Sequence, residues 1–239
     1  MRRNETMIRR IACLCAALAW TPIAGGMAQA QDAEARYPRM APMEQYTMNR
    51  DAEIAMARSA APASISGEAE VLVLGPKGYE TAVKGKNGFV CMTERSWANT
   101  YDSPEFWNPK HRSPNCFNEA AAKTFMQVYL MKTNLVLEGK SKEEIAAATA
   151  SALAKKELPA LAPGAMDYMM SKQQYLNDGA KNWHPHLMFF VSGDAGKSWG
   201  ANLPSSPIIA MNDPEESVTI FLVPLGEWSD GTPGPAITH

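Results

Sequence analysis

Three short β-type runs between residues 69 and 93 constrain the fold more than any other feature of the sequence. The runs are AEVLVLG, YETAVKG and GFVCMTE. Each has the length of a strand and is rich in β-branched or aromatic residues, and glycine-containing turns separate them. Asn87-Gly88, a strong turn signal, comes just before the third strand. The pattern predicts a three-stranded β-meander at about residues 69–74, 79–84 and 88–93.

Two cysteines add a covalent constraint to this meander. Cys91 lies inside the third predicted strand, and Cys116 follows a long segment, residues 94–115, that is rich in Trp, Pro and Asn. In an oxidising compartment the expected fate of these cysteines is a disulfide with each other. Such a bond would close the base of the long loop and stabilise the fold by roughly 3 kcal/mol through chain entropy.

The first thirty residues have the three parts of a secretory signal. Arginine-rich MRRNETMIRR precedes apolar IACLCAALAW, and Ala28-Gln29-Ala30 has the form of a cleavage site. We therefore predict a signal peptide at residues 1–30 and an exported protein, periplasmic or extracellular. No later stretch is long and apolar enough to span a bilayer, so we expect no transmembrane segment in the mature chain.

The charge balance argues against two classes of partner. The full chain has a formal net charge of −2 at pH 7, and removal of the arginine-rich signal would make the mature protein more acidic. No basic run occurs in the remainder. Nucleic acids and anionic membrane surfaces are therefore poor candidate partners.

The remaining sequence predicts one α+β domain. We expect a leader and an N-terminal helix in residues 31–66, a single domain in residues 67–226 and a flexible tail in residues 227–239. An apolar stripe predicts a helix at 117–138, and the capping-box residues Ser141 and Glu144 open a second helix at 141–157. Further strands are predicted at residues 165–170, 186–191, 207–211 and 218–224. The fold class is an antiparallel sheet of about six or seven strands with a helical hairpin on one face and one disulfide.

Part of the chain resembles a family of uncharacterised exported bacterial proteins. The resemblance is carried by AAPASISGEAEVLVLGPKGYETAVKGKNGFVC and by WHPHLMFF further along the chain. It covers about Arg50 to Pro224 and implies one continuous unit. It implies no activity, cofactor or catalytic residue.

The aromatic loop is the first candidate functional site. Trp97, Tyr101, Phe106 and Trp107 lie close together in the sequence, and Arg95 and His111 are among the basic residues beside them. Aromatic rings interleaved with cations can bind a glycan, an anionic small molecule or a partner protein. The alternative is that the rings clamp the loop to its own domain, since buried aromatic rings dominate core energetics.

The pair His184 and His186 is the second candidate site. Residues i and i+2 of a strand point to the same face, so both imidazoles could bind one zinc ion. A third ligand would be needed, and His111, Glu94 and Asp102 are the possible ones. Copper is a further possibility, because Met169, Met170 and Met188 lie near the histidines in sequence. The alternative is that both histidines are structural, with one imidazole bonded to a backbone carbonyl and the other on the surface.

These candidates define three functional hypotheses. The leading one is a non-enzymatic exported module that uses loop 94–115 to bind a small ligand or partner and needs no cofactor. The second is a metal-dependent enzyme or metal-handling protein centred on His184 and His186, with zinc or copper. The third is a purely structural envelope component, which would bind neither metal nor ligand.

Overall fold

A computed structural model describes residues 37–237 of the chain. The predicted signal peptide, residues 1–30, lies outside the described residues, as do the start of the predicted leader and residues 238–239. Within residues 37–237, no helix has both the length and the apolar character needed to cross a membrane.

In residues 37–237, eight strands form a single sheet in which every pairing but one is antiparallel. The strands are β1 (Glu70–Gly75), β2 (Gly78–Val83), β3 (Val90–Glu94), β4 (Ser113–Phe117), β5 (Met166–Met169), β6 (His186–Ser192), β7 (Ile209–Asp213) and β8 (Val218–Pro224). Their spatial order is β2-β1-β3-β4-β5-β6-β8-β7. The predicted α+β class is confirmed, but the prediction of six or seven strands is wrong by at least one.

The additional strand is β4, which the sequence analysis assigned to the end of the loop. Pro114 and Asn115 are poor strand formers, so the segment carries little β signal of its own. The strand forms because all five of its residues pair in register with β3, from Val90 opposite Phe117 to Glu94 opposite Ser113. The β3–β4 loop is therefore residues 95–112.

The first three strands do not form the predicted meander. β1 and β2 make the expected antiparallel hairpin, but β3 pairs with β1, and in parallel. The connection after β2 crosses the start of β1, where Lys86 N–H donates to the Glu68 carbonyl (2.8 Å). Gly85 permits this crossing, because a Cβ at that position would lie 2.1 Å from the backbone nitrogen of Glu70. The turn between β2 and β3 was predicted correctly, but it belongs to a connection that crosses β1 and does not form a hairpin.

In the described part of the chain, five α-helices accompany the sheet. They are α1 (Arg50–Arg58), α2 (Ala63–Ser66), α3 (Glu119–Lys123), α4 (Phe125–Leu137) and α5 (Lys142–Ala154). The predicted helix at 117–138 is interrupted at Thr124, whose φ and ψ of −130° and −81° are not helical. The predicted capping box of Ser141 and Glu144 is present at the start of α5.

Strand alternation gives the sheet two different cores. Val71, Cys91 and Cys116 belong to a cluster on one face, where alanines of α1 and the segment that follows it pack closely. Leu72 and Met92 belong to the larger cluster on the opposite face, together with α4, α5 and the β3–β4 loop. Because neighbouring side chains of a strand point to opposite faces, one sheet supports both clusters.

The predicted disulfide between Cys91 and Cys116 is confirmed. The two cysteines are direct partners in the β3–β4 register, and neither residue is exposed to solvent. The bond therefore joins the two strands from which the β3–β4 loop leaves.

Residues of the predicted tail make contacts with the domain. Trp228 is buried, and Ser229 N–H donates to the Met170 carbonyl at 3.0 Å. Glu227 and Pro233 form an isolated β-bridge with each other.

A buried ion pair lies where the β3–β4 loop begins. Arg95 Nη2 lies 2.7 Å from Glu53 Oε1, and both side chains are almost completely buried. The same carboxylate accepts the N–H of Leu74 in β1 (3.1 Å), and Arg95 Nε donates to the Tyr46 carbonyl (2.6 Å). Arg95 N–H donates to the Tyr129 hydroxyl in α4 (2.6 Å). Arg95 thus connects α1, β1, α4 and the segment before α1.

Removing the disulfide should weaken the fold without changing its architecture. We expect the double variant Cys91→Ala/Cys116→Ala to lose about 3 kcal/mol of unfolding free energy, because the unfolded chain gains loop entropy. Urea denaturation of the variant and of the wild-type protein measures this difference. Reductant should lower the unfolding free energy of the wild-type protein only. Equal unfolding free energies of the wild-type protein and the variant without reductant would contradict the expectation.

Removing one partner of the buried ion pair should cost more than removing one partner of an exposed pair. We expect Glu53→Gln to destabilise the protein by about 3–5 kcal/mol, because Arg95 would stay buried without a counter-charge. Glu80→Gln is the matched control, since Glu80 pairs with Arg50 at 2.7 Å on the surface and should change stability very little. Urea denaturation compares the two, and similar small losses would show that the pair does not anchor the loop.

Candidate functional site

A cavity of about 450 Å³ lies between the β3–β4 loop, α4 and the sheet. Phe125, Tyr129 and Lys132 of α4 form one wall. The opposite wall consists of alternate residues of the last strands, which point to the same face, and Trp183 of the β5–β6 connection adds to it. The strand residues are Met169, His186, Met188, Phe190, Met211, Asp213, Ile220 and Leu222.

The β3–β4 loop lines this cavity with polar and small residues, while its aromatic rings lie elsewhere. Ala98, Thr100, Glu105 and His111 are among the lining residues, with Glu94 and Ser113 at the ends of the flanking strands. Of the six residues predicted to bind a ligand, His111 therefore lines the cavity. The other five are not among its lining residues; they are Arg95, Trp97, Tyr101, Phe106 and Trp107.

The four aromatic rings of the loop are packed into the large core. Each is at most 7% exposed. The Trp97 indole N–H donates to the Thr133 hydroxyl at 2.9 Å, and Phe106 and Trp107 meet edge to face with centroids 4.7 Å apart. Phe106 and Trp107 also border a separate groove beside the start of α5. This placement favours the alternative in which the rings clamp the loop to its own domain.

Glu94 ends β3 and presents its carboxyl group to the cavity. The side chain is buried, and burial raises its pKa to about 8 although Lys132 and the Asn115 amide oppose the shift. Asn115 Nδ2 donates to Glu94 Oε2 at 2.7 Å. At neutral pH the empty cavity therefore contains a mostly protonated carboxylic acid.

His111 is a neutral imidazole with one open nitrogen. Its Nδ1 lies 2.8 Å from the Leu176 carbonyl, so this nitrogen carries the proton and Nε2 has a free lone pair. Burial lowers the pKa of His111 to about 4. The buried Nε2 has no hydrogen-bond partner within the described chain. His111 therefore offers a hydrogen-bond acceptor.

His184 and His186 have different surroundings. The His186 ring lines the cavity, its Nδ1 lies 2.7 Å from the His184 carbonyl, and burial lowers its pKa to about 4. The Trp183 ring contacts both imidazoles, with centroids 5.4 Å from His184 and 4.8 Å from His186. Across residues 37–237, no three His, Cys, Asp or Glu side chains converge as a metal site would require. The zinc or copper hypothesis stays a prediction.

A buried ion pair completes the polar part of the cavity wall. Lys132 Nζ lies 2.8 Å from Glu216 Oε1, and both side chains are less than a tenth exposed. The same ammonium lies 4.6 Å from the centroid of the Tyr101 ring. The one ammonium group that lines the cavity is thus held by a partner from the protein itself.

Several cavity residues were not proposed as ligand-binding residues from the sequence. Lys132 interrupts the apolar pattern of α4, and Glu94 follows Met92 on the core-facing side of β3. A charged residue at a core-facing position was a usable signal in both cases. Trp183 adjoins the histidine pair, but its place in a connection between strands gave no periodicity to interpret.

Comparisons with protein-family models, with curated proteins and with solved structures found no match for this chain. The resemblance to exported bacterial proteins therefore stays a prediction, and the geometry of the cavity is the basis for a functional proposal.

The raised pKa of Glu94 predicts a specific dependence of stability on pH. Between pH 6.5 and 8 the unfolded carboxyl is ionised while the folded one retains its proton, so stability should fall as pH rises. The pKa values of His111 and His186 are lowered, so these two residues contribute a slope of opposite sign that fades above about pH 7.5 and is common to the wild-type protein and the variant. We expect Glu94→Gln to reduce the slope by up to about 1.4 kcal/mol per pH unit. Urea denaturation at four pH values measures the slope.

Two comparisons make this measurement specific. Glu157→Gln changes an exposed glutamate outside the cavity and should leave the slope at the wild-type value. Asp167 should maintain part of the slope in every variant, because burial raises its pKa well above the ordinary value. A slope that Glu94→Gln does not change would show that Glu94 is ionised in the folded protein at neutral pH.

Proposed function

We propose that the protein is an exported, non-enzymatic module that binds a small molecule in the cavity beneath the β3–β4 loop. The observation that carries the proposal is the combination of mainly apolar cavity walls with a few buried polar side chains, above all His111, whose Nε2 has no hydrogen-bond partner in the described chain. Ligand sites in proteins combine mainly apolar walls with a few polar groups in this way.

The size of the cavity supports a small ligand. A volume of about 450 Å³ lies within the range typical of small-molecule sites. A molecule bound there would contact the cavity walls and thereby stabilise the folded state.

The buried loop rings favour a small molecule over the glycan or protein that the sequence also allowed. A glycan or protein surface would stack on exposed rings. Trp97, Tyr101, Phe106 and Trp107 are nearly inaccessible, so the binding surface is the interior wall of the loop. Export is supported by the signal-like N-terminal sequence and by a disulfide of the kind that oxidising compartments maintain.

Filling the cavity should abolish binding while leaving the fold intact. We expect ligand-observed NMR with a mixed library of small fragments to detect binders of the wild-type protein, and Ala98→Phe to lose them, because the added ring would occupy the cavity. Ala147→Phe is the matched control, on the exposed face of α5 and outside the cavity. Circular dichroism verifies that each variant is folded.

A second variant that blocks the cavity keeps the test decisive if Ala98→Phe misfolds. Ala180 lines the cavity from an exposed position, so Ala180→Trp should hinder entry with little effect on the core. Wild-type protein that binds no fragment, or binding that survives both cavity variants, would refute the proposal.

A further inference from the structure

The groups that line the cavity carry an excess of carboxyls. Glu94, Glu105, Asp213 and Glu216 contribute four carboxyl groups, while Lys132 contributes the one ammonium among the described lining residues. Lys132 and Glu216 bind each other at 2.8 Å. The lining residues thus carry three more carboxyl groups than ammonium groups, and the charge of Lys132 also acts on Glu94.

The polar atoms that remain open near these carboxyls are acceptors. Nε2 of His111 is unpartnered although the residue is only 4% exposed, and its Nδ1–H is already used. Behind Glu94, the buried Oδ1 of Asn115 also lacks a partner, while its amide nitrogen is bound to the Glu94 carboxyl. Unpartnered buried acceptors are costly. Of these two residues His111 lines the cavity, so a ligand that donates a hydrogen bond would satisfy its Nε2.

Aromatic rings surround the same space. Tyr129 and Trp183 line the cavity, as do Phe125 and Phe190, which stack on each other with centroids 3.8 Å apart and so cover one face of each ring. The faces of such rings attract cations electrostatically, most strongly where water is excluded. The cavity thus combines the three features that recognise an organic cation: surplus carboxyls, open acceptors and aromatic faces.

We propose that the ligand is a small organic cation, an alkylammonium or a related amine, whose N–H groups are bound by Glu94 and His111 and whose carbon atoms contact the aromatic wall. This inference rests on the proposed small-molecule function and specifies its ligand class. A neutral molecule would not balance the charge of the excess carboxyl groups, and an anion would be repelled by them.

Binding of a cation should expel a proton from the cavity. Burial keeps Glu94 protonated in the empty protein, and a bound ammonium would favour its ionised form. Affinity for amines should therefore rise between pH 6 and 9, while the amine itself stays charged. The titratable and charged groups facing Glu94 from the surrounding elements are Glu105, His111, Tyr129, Lys132, Asp167, His186, Asp213 and Glu216.

Matched ligands of different charge test the inference. Isothermal titration calorimetry at pH 7 would compare n-alkylamines of about four to eight carbons with the alcohols and carboxylates of equal length. We expect the amines to bind at least about tenfold more tightly than the alcohols and the carboxylates not to bind measurably. Buffers with different ionisation enthalpies should reveal the release of up to about one proton per bound amine.

A variant of Glu94 identifies the responsible carboxyl. Glu94→Gln should reduce the preference for amine over alcohol to within about twofold and abolish proton release. Glu157→Gln, on the exposed surface, should retain both the preference and the proton release. Should Glu94→Gln fail to fold, the wild-type comparison and its proton count decide the question by themselves.

The outcomes separate this inference from the function on which it rests. Equal binding of amines and alcohols would overturn the cation assignment and leave the small-molecule function standing. Binding of neither would overturn both. Stoichiometric zinc or copper that displaces the amines would assign the cavity to a metal ion and overturn the cation assignment.

Discussion

The buried contact between Arg95 and Glu53 fixes where the β3–β4 loop begins. It lies at the end of β3, and its carboxylate also receives a backbone N–H from β1. Because a lone buried charge is far more costly than a paired one, neither residue can move away alone. The β3–β4 loop therefore leaves the sheet from a fixed point and in a fixed direction, toward α4.

The cavity follows from how the loop is held. The four aromatic rings of the loop are buried in the core, outside the cavity, and hold the loop in place. The backbone between the rings therefore forms one wall of the cavity and does not collapse onto the sheet. On the sheet side, the period-2 alternation of β5 to β8 points apolar residues and His186 at that wall. Burial away from water disfavours the charged form of both side chains, which explains why Glu94 retains a proton and why His111 does not gain one.

The sequence predicted most elements whose signal is local. β8 matches its predicted residues, and the capping box at Ser141 was visible in the spacing of two residues. The elements that were missed depend on distant partners. β4 has little strand propensity and exists because β3 and the disulfide align it, and the parallel pairing of β1 with β3 depends on a close approach at Gly85. The cavity could not be predicted from the sequence for the same reason. His111, Lys132 and Met188 are brought together by tertiary packing and have no characteristic spacing in the sequence.

The position of the disulfide has a kinetic consequence. Cys91 and Cys116 face α1, on the side of the sheet opposite the cavity, and both are completely buried beneath small alanine side chains. Thiol exchange requires direct attack on a sulfur atom, so a reductant in solution must wait for α1 to detach. The persistence of the bond in a reducing environment is thus governed by how often that helix opens, and a change confined to the cavity side of the sheet would not expose the sulfur atoms.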